Sequence, residues 1–203
     1  MKKLITAVIV AIFLALTTMT AFAASPVTYK VVAGDSMWKI AVKHNVGVSE
    51  IINANPQVTN PNLIYPGQIL NIPTIEQNVL SFEEQVINLT NQKRAENGLA
   101  PLKANWELSR VARYKSQDMY DNKYFSHTSP VYGGPDKMIR NFGISYRAMG
   151  ENIAMGYATP AQVVNAWMNS PGHRANILNA SFTEIGVGYV ANGNYWTQMF
   201  IGR

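Results

Sequence analysis

The chain has 203 residues, with 17 basic and 12 acidic side chains; the net charge of +5 falls to +3 once Lys2 and Lys3 are set aside. So mild an excess, with no Lys/Arg run, argues against nucleic-acid binding, and the complete lack of cysteine rules out a disulfide-stapled scaffold. Residues 1–23 read as a secretory signal peptide: a basic start, an apolar run over 4–16 broken only by Thr6, and Ala21-Phe22-Ala23 as a small-residue cleavage site. Thr17, Thr18 and Thr20 interrupt that run short of the roughly 20 apolar residues a membrane span needs. The remaining chain suits one very small domain and one of ordinary size, outside the cytoplasmic membrane and with no stable span after cleavage.

The first unit covers 28–73. Tyr29, Val31 and Ala33 alternate with Lys30 and Val32 as a short strand would, and Gly34-Asp35-Ser36 breaks it and supplies a helix N-cap. Met37, Ile40, Ala41 and His44 recur at helical spacing. Ser49 is placed to cap a second helix with Ile51 and Ile52 inward, Asn55-Pro56 stops it, and 69–73 closes as a second strand. Trp38 is expected in the core, because so small a unit needs its large side chains buried.

This strand-helix-helix-strand order, with YKVVAGDSMWKIA, VGVSEIINANP and LIYPGQILNIP, closely resembles a LysM domain. The resemblance implies binding of N-acetylglucosamine polymers, peptidoglycan or chitin, without a cofactor. By position the groove would comprise Gly34, Asp35, Ser36 and Met37 on one side and Asn62, Leu63, Ile64 and Tyr65 on the other. Loop backbone groups suit acetamido and hydroxyl groups, and the apolar side chains suit a sugar face and an acetyl methyl.

Residues 74–79 read as a polar connector, and a larger domain over 80–203 follows. Ser81 and Glu84 stand in capping-box relation, Phe82, Val86 and Leu89 mark one helical face, and Gly98 ends that helix. A second helix opens at Trp106 and runs through Asp121, carried by Leu108, Val111, Ala112, Lys115 and Met119. A short third spans 135–142, and Thr159-Pro160 starts a fourth that runs to Asn169. Strands over 184–190 and 195–201 flank Asn192-Gly193-Asn194, a hairpin signal. The whole is α+β, with the second domain a sheet sandwiched by helices.

Three segments carry titratable chemistry in turns: Phe125-Ser126-His127, Gly150-Glu151-Asn152-Ile153 and Ser170-Pro171-Gly172-His173-Arg174. Two imidazoles and a carboxylate can hold a divalent metal such as zinc, can act as general acid and base, or can simply hydrogen-bond loop backbone. Trp167, Tyr189 and Trp196 sit on apolar faces and are expected in the core.

The ordered run NQKRAENGLAPL, FSH, GENIA, VVNAWMNSPGHRANILN, EIGVGYV and YWTQMF is similar to the CAP domain of the cysteine-rich secretory protein and pathogenesis-related-1 superfamily, in its bacterial form. That resemblance implies an α/β/α sandwich with a central cavity lined in many members by two histidines and two acids. By position His127, Glu151 and His173 match three of these. The fourth acid is missing, since Trp167-Met168-Asn169-Ser170 has none, and Glu184 opens a structural strand. A bound zinc would then have at most His127, Glu151 and His173 as ligands, and the likeliest general base of a hydrolase is lost. Asn152 and Arg174 are candidates to orient Glu151 and His173; a Ser-His-Glu arrangement using Ser126 or Ser170 lacks a nucleophile elbow. The resemblance implies a secreted cell-wall or spore-surface protein, with wall or spore-coat proteins as further partners, and either a binding and assembly role or a wall-targeted hydrolase.

Overall fold

The structure, a computed structural model, describes residues 27–203. The expected signal peptide over 1–23 lies outside the described residues. In chain order the elements are β1 (Val27–Lys30), α1 (Met37–His44), α2 (Val48–Asn53), β2 (Ile69–Ile72), α3 (Gln77–Glu96), β3 (Lys103–Ala104), α4 (Trp106–Asp121), α5 (Pro135–Asn141), β4 (Ala148–Met155), α6 (Pro160–Asn169), α7 (Pro171–Ile177), β5 (Glu184–Val190) and β6 (Tyr195–Gly202). Among the described residues no helix is long and apolar enough to cross a membrane.

In the first unit β1 and β2 pair antiparallel, Val27 opposite Ile72 and Lys30 opposite Ile69. Met37, Ile40, Ala41, Ile51, Leu70 and Ile72 bury against one another beneath the two helices. Ser36 caps α1 by accepting from the Lys39 N–H at 3.2 Å. The expected Ser49 cap of α2 does not form: the helix starts two residues earlier with Gly47 as N-cap, whose N–H is taken by the Glu50 carboxylate. Buried Asn55 donates to the carbonyls of Ile51 and Asn71, both at 2.7 Å, and accepts from the Asn71 N–H at 2.8 Å, tying α2 to β2. Trp38 departs from expectation and is 65% exposed. It falls about 100° around the helix from Met37, off the stripe that Met37, Ile40, Ala41 and His44 define, so a core this small closes without it.

The second unit is a four-stranded sheet in the order β3-β5-β6-β4, parallel only between β3 and β5. Helices α3, α6 and α7 cover one face with Val86, Val163, Trp167 and Ile177 against Ile185, Val187, Trp196 and Phe200. Helices α4 and α5 cover the other with Leu108, Val111, Met138 and Ile139 against Met199 and Ile201. Trp167, Tyr189 and Trp196 are core, as their faces imply. The alternation along β5 explains how α4 sits. Its Ile185, Val187 and Tyr189 face the first layer, while Gly186 and Gly188 face α4. A Cβ on Gly188 would lie 2.1 Å from the Ala112 carbonyl carbon, and one on Gly186 would lie 2.3 Å from that of Leu108.

Three segments differ from the sequence reading. α3 begins at Gln77, so Ser81 is inside the helix and no capping box with Glu84 forms. The Glu151 segment is not a turn but the strand β4, and His173 stands in the first turn of α7 rather than in a loop. Buried polar groups tie the layers together. Glu83 of α3 receives both forks of Arg113 of α4 at 2.7–2.9 Å and the Tyr189 N–H at 3.2 Å. Arg94 donates to the carbonyls of Ala100, Ile177 and Asn179 at 2.8–2.9 Å, fixing the end of α7.

Gly188→Ala is expected to lower stability by about 3 kcal/mol or more, because the new methyl meets helix backbone rather than a movable side chain. Gly172→Ala, with nothing within 4 Å of its Cβ, should instead gain about 0.5 kcal/mol. Urea unfolding midpoints of the two variants check both, and equal midpoints would show that α4 yields freely.

Candidate functional site

In the first unit, the loop after β1 and the loop before β2 face each other across an open groove of about 300 Å³. Asp35, Ser36, Met37 and Trp38 form one wall, 61–64 the other, and Val48 and Ile52 of α2 line the remainder. The fold therefore brings together Asp35, Ser36, Met37, Asn62, Leu63 and Ile64, whereas Gly34 and Tyr65 lie outside the groove lining. Gly34 serves the turn, with φ at +88°. Asp35 is tied within its own loop, accepting from the Val32 N–H and the Tyr29 hydroxyl at 2.9 Å, and the Val32 bond holds its carboxyl below the usual range. Met37 is core, Ile64 half-buried, and Trp38 and Leu63 stand exposed at the rim. Trp38, Val48, Ile52 and Pro61 are groove residues that the sequence reading missed; the off-stripe position of Trp38 was its signal.

In the second unit His127, on the loop after α4, meets Glu151 of β4 directly, with Nδ1 2.7 Å from Oε1. The Glu151 side chain is only 2% exposed and the His127 ring 54% exposed. Its second oxygen, Oε2, is buried without a hydrogen-bond partner. The bond to Glu151 raises the His127 pKa above its ordinary 6.5. His173, held down by burial and then by the charge of His127, is shifted the other way. The surrounding side chains fix this arrangement. Asn152 donates to the His173 carbonyl at 3.1 Å and to Gln198 at 3.0 Å, and Gln198 donates to Thr90 at 2.7 Å. Asn176 donates to the Glu151 carbonyl at 3.1 Å and to Asn152 at 2.9 Å. Lys115, 1% exposed, donates to the carbonyls of Ser126 and His127 at 2.7 and 3.0 Å and so clamps the histidine loop from beneath.

Arg174 does not orient His173; it reaches away to Asn97 at 3.4 Å. Glu184 bonds Asn105 at 2.5 Å and Arg203 at 3.0 Å, a structural role. Ser126 accepts from the Thr128 N–H, and Ser170 ends α6 beside an apolar cleft lined by Phe125, Met155, Tyr157, Trp167 and His173. Neither serine hydrogen-bonds a histidine. Lys115, Asn176 and Gln198 went unnoticed in the sequence because each lies far along the chain from the residue it serves.

The implied zinc can be tested against these donors. Two zinc ligands at about 2.0–2.1 Å in tetrahedral geometry stand about 3.3 Å apart, whereas Nδ1 of His127 and Oε1 of Glu151 are in direct hydrogen bond at 2.7 Å. Among the described residues no three His, Cys, Asp or Glu side chains gather closely enough to hold an ion. As placed, His127, Glu151 and His173 do not form the three-ligand set.

Comparison with known proteins identifies both units. The family model described as "Cysteine-rich secretory protein family" matches 87–201, and the LysM domain model matches 29–73. The uncharacterized protein YkwD of Bacillus subtilis is 58% identical over 125 residues, covering 62% of this chain and 49% of YkwD. The chain thus spans about half the length of that relative. Over 48 residues it is 46% identical to the probable autolysin LDP of Staphylococcus aureus, covering 24% of this chain and 16% of that protein. An extracellular protein containing an SCP domain from Bacillus anthracis superposes with a TM-score of 0.60 at 32% identity, covering 68% of this chain and 47% of that one. With more than half of its residues matched in order, the chain belongs to the CAP, or cysteine-rich secretory protein, family, and carries a LysM domain ahead of the CAP domain.

Proposed function

We propose that this is a secreted cell-wall protein that binds N-acetylglucosamine-containing glycan, peptidoglycan foremost, in the LysM groove and uses its CAP domain for binding and assembly. The observation that carries the reading is the groove itself: Trp38 and Leu63, 65% and 51% exposed, flank a cleft with polar rim residues Asp35, Ser36 and Asn62. Exposed aromatic and aliphatic surface beside free loop backbone is the pairing a sugar ring with an acetamido group needs. Likeness to a probable autolysin over 48 residues supports it. A spore-surface role, with spore-coat proteins as partners, is the narrower form of the proposal, resting on the same groove chemistry.

A second reading, a wall-targeted hydrolase, is favoured by one observation. His127 and His173 are electrostatically coupled and pushed to opposite sides of pH 6.5, the signature of an acid and a base sharing a site. In that reading neutral His173 takes a proton from the attacking water and protonated His127 gives one to the leaving group. Glu151 keeps His127 charged.

Two outcomes test these readings. Trp38→Ala in the full chain should weaken co-sedimentation with purified peptidoglycan about tenfold, equivalent to about 1.4 kcal/mol, with the unfolding midpoint unchanged; unaltered binding would remove the groove from the function. Any hydrolysis of wall material should follow a bell-shaped pH profile, because His173 must be deprotonated, which fails as pH drops below its lowered pKa. His127 must be protonated, which fails as pH climbs past its raised pKa. A profile flat from pH 5 to 8, or activity surviving His173→Gln, would reject the hydrolase.

A further inference from the structure

Glu50 lies in the first turn of α2, and its carboxylate serves two masters. Oε2 accepts the Gly47 N–H that caps the helix, while Oε1 accepts from Nε of Arg110 on α4, in the other domain, at 2.7 Å. The same guanidinium donates through Nη2 to the Ser49 hydroxyl at 3.1 Å. Its planar face lies over two rings of the CAP domain, 4.9 Å from the centre of Phe142 and 5.5 Å from that of Tyr114. Arg is suited to this double duty, since the fork fits a carboxylate while the flat face stacks. Both partners are about four-fifths buried, at 20% and 21% side-chain exposure, which sets the pair apart from exposed surface bridges of little worth. Burial, followed by the nearby Glu50 carboxylate, pushes the Tyr114 phenol up to about 12, so it stays a neutral wall of the contact. Beside the clamp is a cavity of about 140 Å³ between Val46, Pro73 and Ile75 on one side and Tyr114 on the other.

We infer that LysM and CAP are one rigid body, locked by the grip of Arg110 on Glu50 and Ser49. The default for two small domains joined by a linker is independent motion unless the interface is large and apolar. Here no helix or strand of one unit packs broadly on one of the other, so the charged clamp supplies the restraint. Only 73–76 separate β2 from α3, and so short a tether keeps the two halves of the clamp at high effective concentration. The consequence reaches the groove. Val48 and Ile52 of α2 line it while Ser49 and Glu50 of the same helix are held by α4, so the groove is presented in fixed orientation to the His127–Glu151 centre. The inference holds whatever the groove binds.

The test is backbone ¹⁵N relaxation on the full two-domain protein. In the native chain, amides of the LysM module and of the CAP domain should report one rotational correlation time. In Arg110→Ala the LysM amides should tumble roughly twofold faster than the CAP amides, as independent domains do, with the chemical shifts inside each domain retained. Glu50→Gln, which keeps an oxygen for the Gly47 N–H but removes the charge, should loosen the module in the same direction and decides the matter if Arg110→Ala fails to fold. Separate correlation times in the native chain, or a single one persisting in the variants, would overturn the inference.

Discussion

The close approach of α4 to β5 is the constraint on which the rest of the CAP domain depends. Gly186 and Gly188 let the helix backbone settle where any side chain would collide, since a Cβ there would have to retreat from 2.1–2.3 Å to an ordinary contact of 3.4 Å or more. From that one helix four polar side chains reach four different places. Lys115 holds the carbonyls of the His127 loop, Arg113 crosses to Glu83 of α3, Ser116 donates to the Gly188 carbonyl at 2.9 Å and accepts from the Thr197 hydroxyl at 2.8 Å, and Arg110 reaches the LysM module. A shift of α4 by an ångström would move all four at once. The packing of a glycine-bearing strand is therefore part of the construction of the candidate centre, although neither Gly186 nor Gly188 belongs to it.

A domain with no cysteine must hold its layers together without disulfides. Apolar faces on both sides of the sheet supply most of the stabilisation, but they are indifferent to sliding. The buried ions are not. Glu83, Arg94 and Lys115 are all under 4% exposed, and burial shifts each toward its neutral form, raising Glu83 and lowering Arg94 and Lys115. Such groups are tolerable only with their partners in place, so each admits one arrangement of the elements it joins. Arg94 specifies where α7 ends, Lys115 where His127 stands, and Glu83 how α3 lies across the sheet from α4.

Much of this was legible in the sequence, and what was not has physical causes. Periodicity and punctuation placed α4 from Trp106 to Asp121, the Thr159-Pro160 start of α6 and the 184–201 hairpin, because those signals are local. Where a local signal met a tertiary one, the tertiary one prevailed. Ser49 and Ser81 looked like caps, yet Glu50 caps α2 by back-bonding to Gly47, and α3 extends four residues beyond Ser81 because Val79 packs onto the core. The strand β4 was hidden because Ala148–Met155 is covered on both faces and shows no alternation. Glu151 and His127 could be singled out one at a time. That they are bonded to each other, and that Lys115 and Asn176 set their positions, depends on contacts between residues up to 25 apart.

The two candidate sites meet a ligand in different ways, and that difference bears on how they work together. The LysM groove is open, with exposed Trp38 and Leu63, so a polymer bound there would enter from the side without requiring a chain end. The CAP centre is half-enclosed: Glu151 is out of reach of solvent, and only the His127 ring and the cleft beside His173 are accessible. Under the proposed glycan reading, a single shallow groove binds modestly, and its contribution would be to raise the local concentration of wall material at the second site. With four residues between β2 and α3, that enhancement is confined to whatever lies next to the bound strand. The arrangement favours a CAP centre that acts on, or attaches to, the immediate surroundings of the glycan rather than a distant partner, and it makes the direction in which α4 holds α2 a determinant of what the centre can touch.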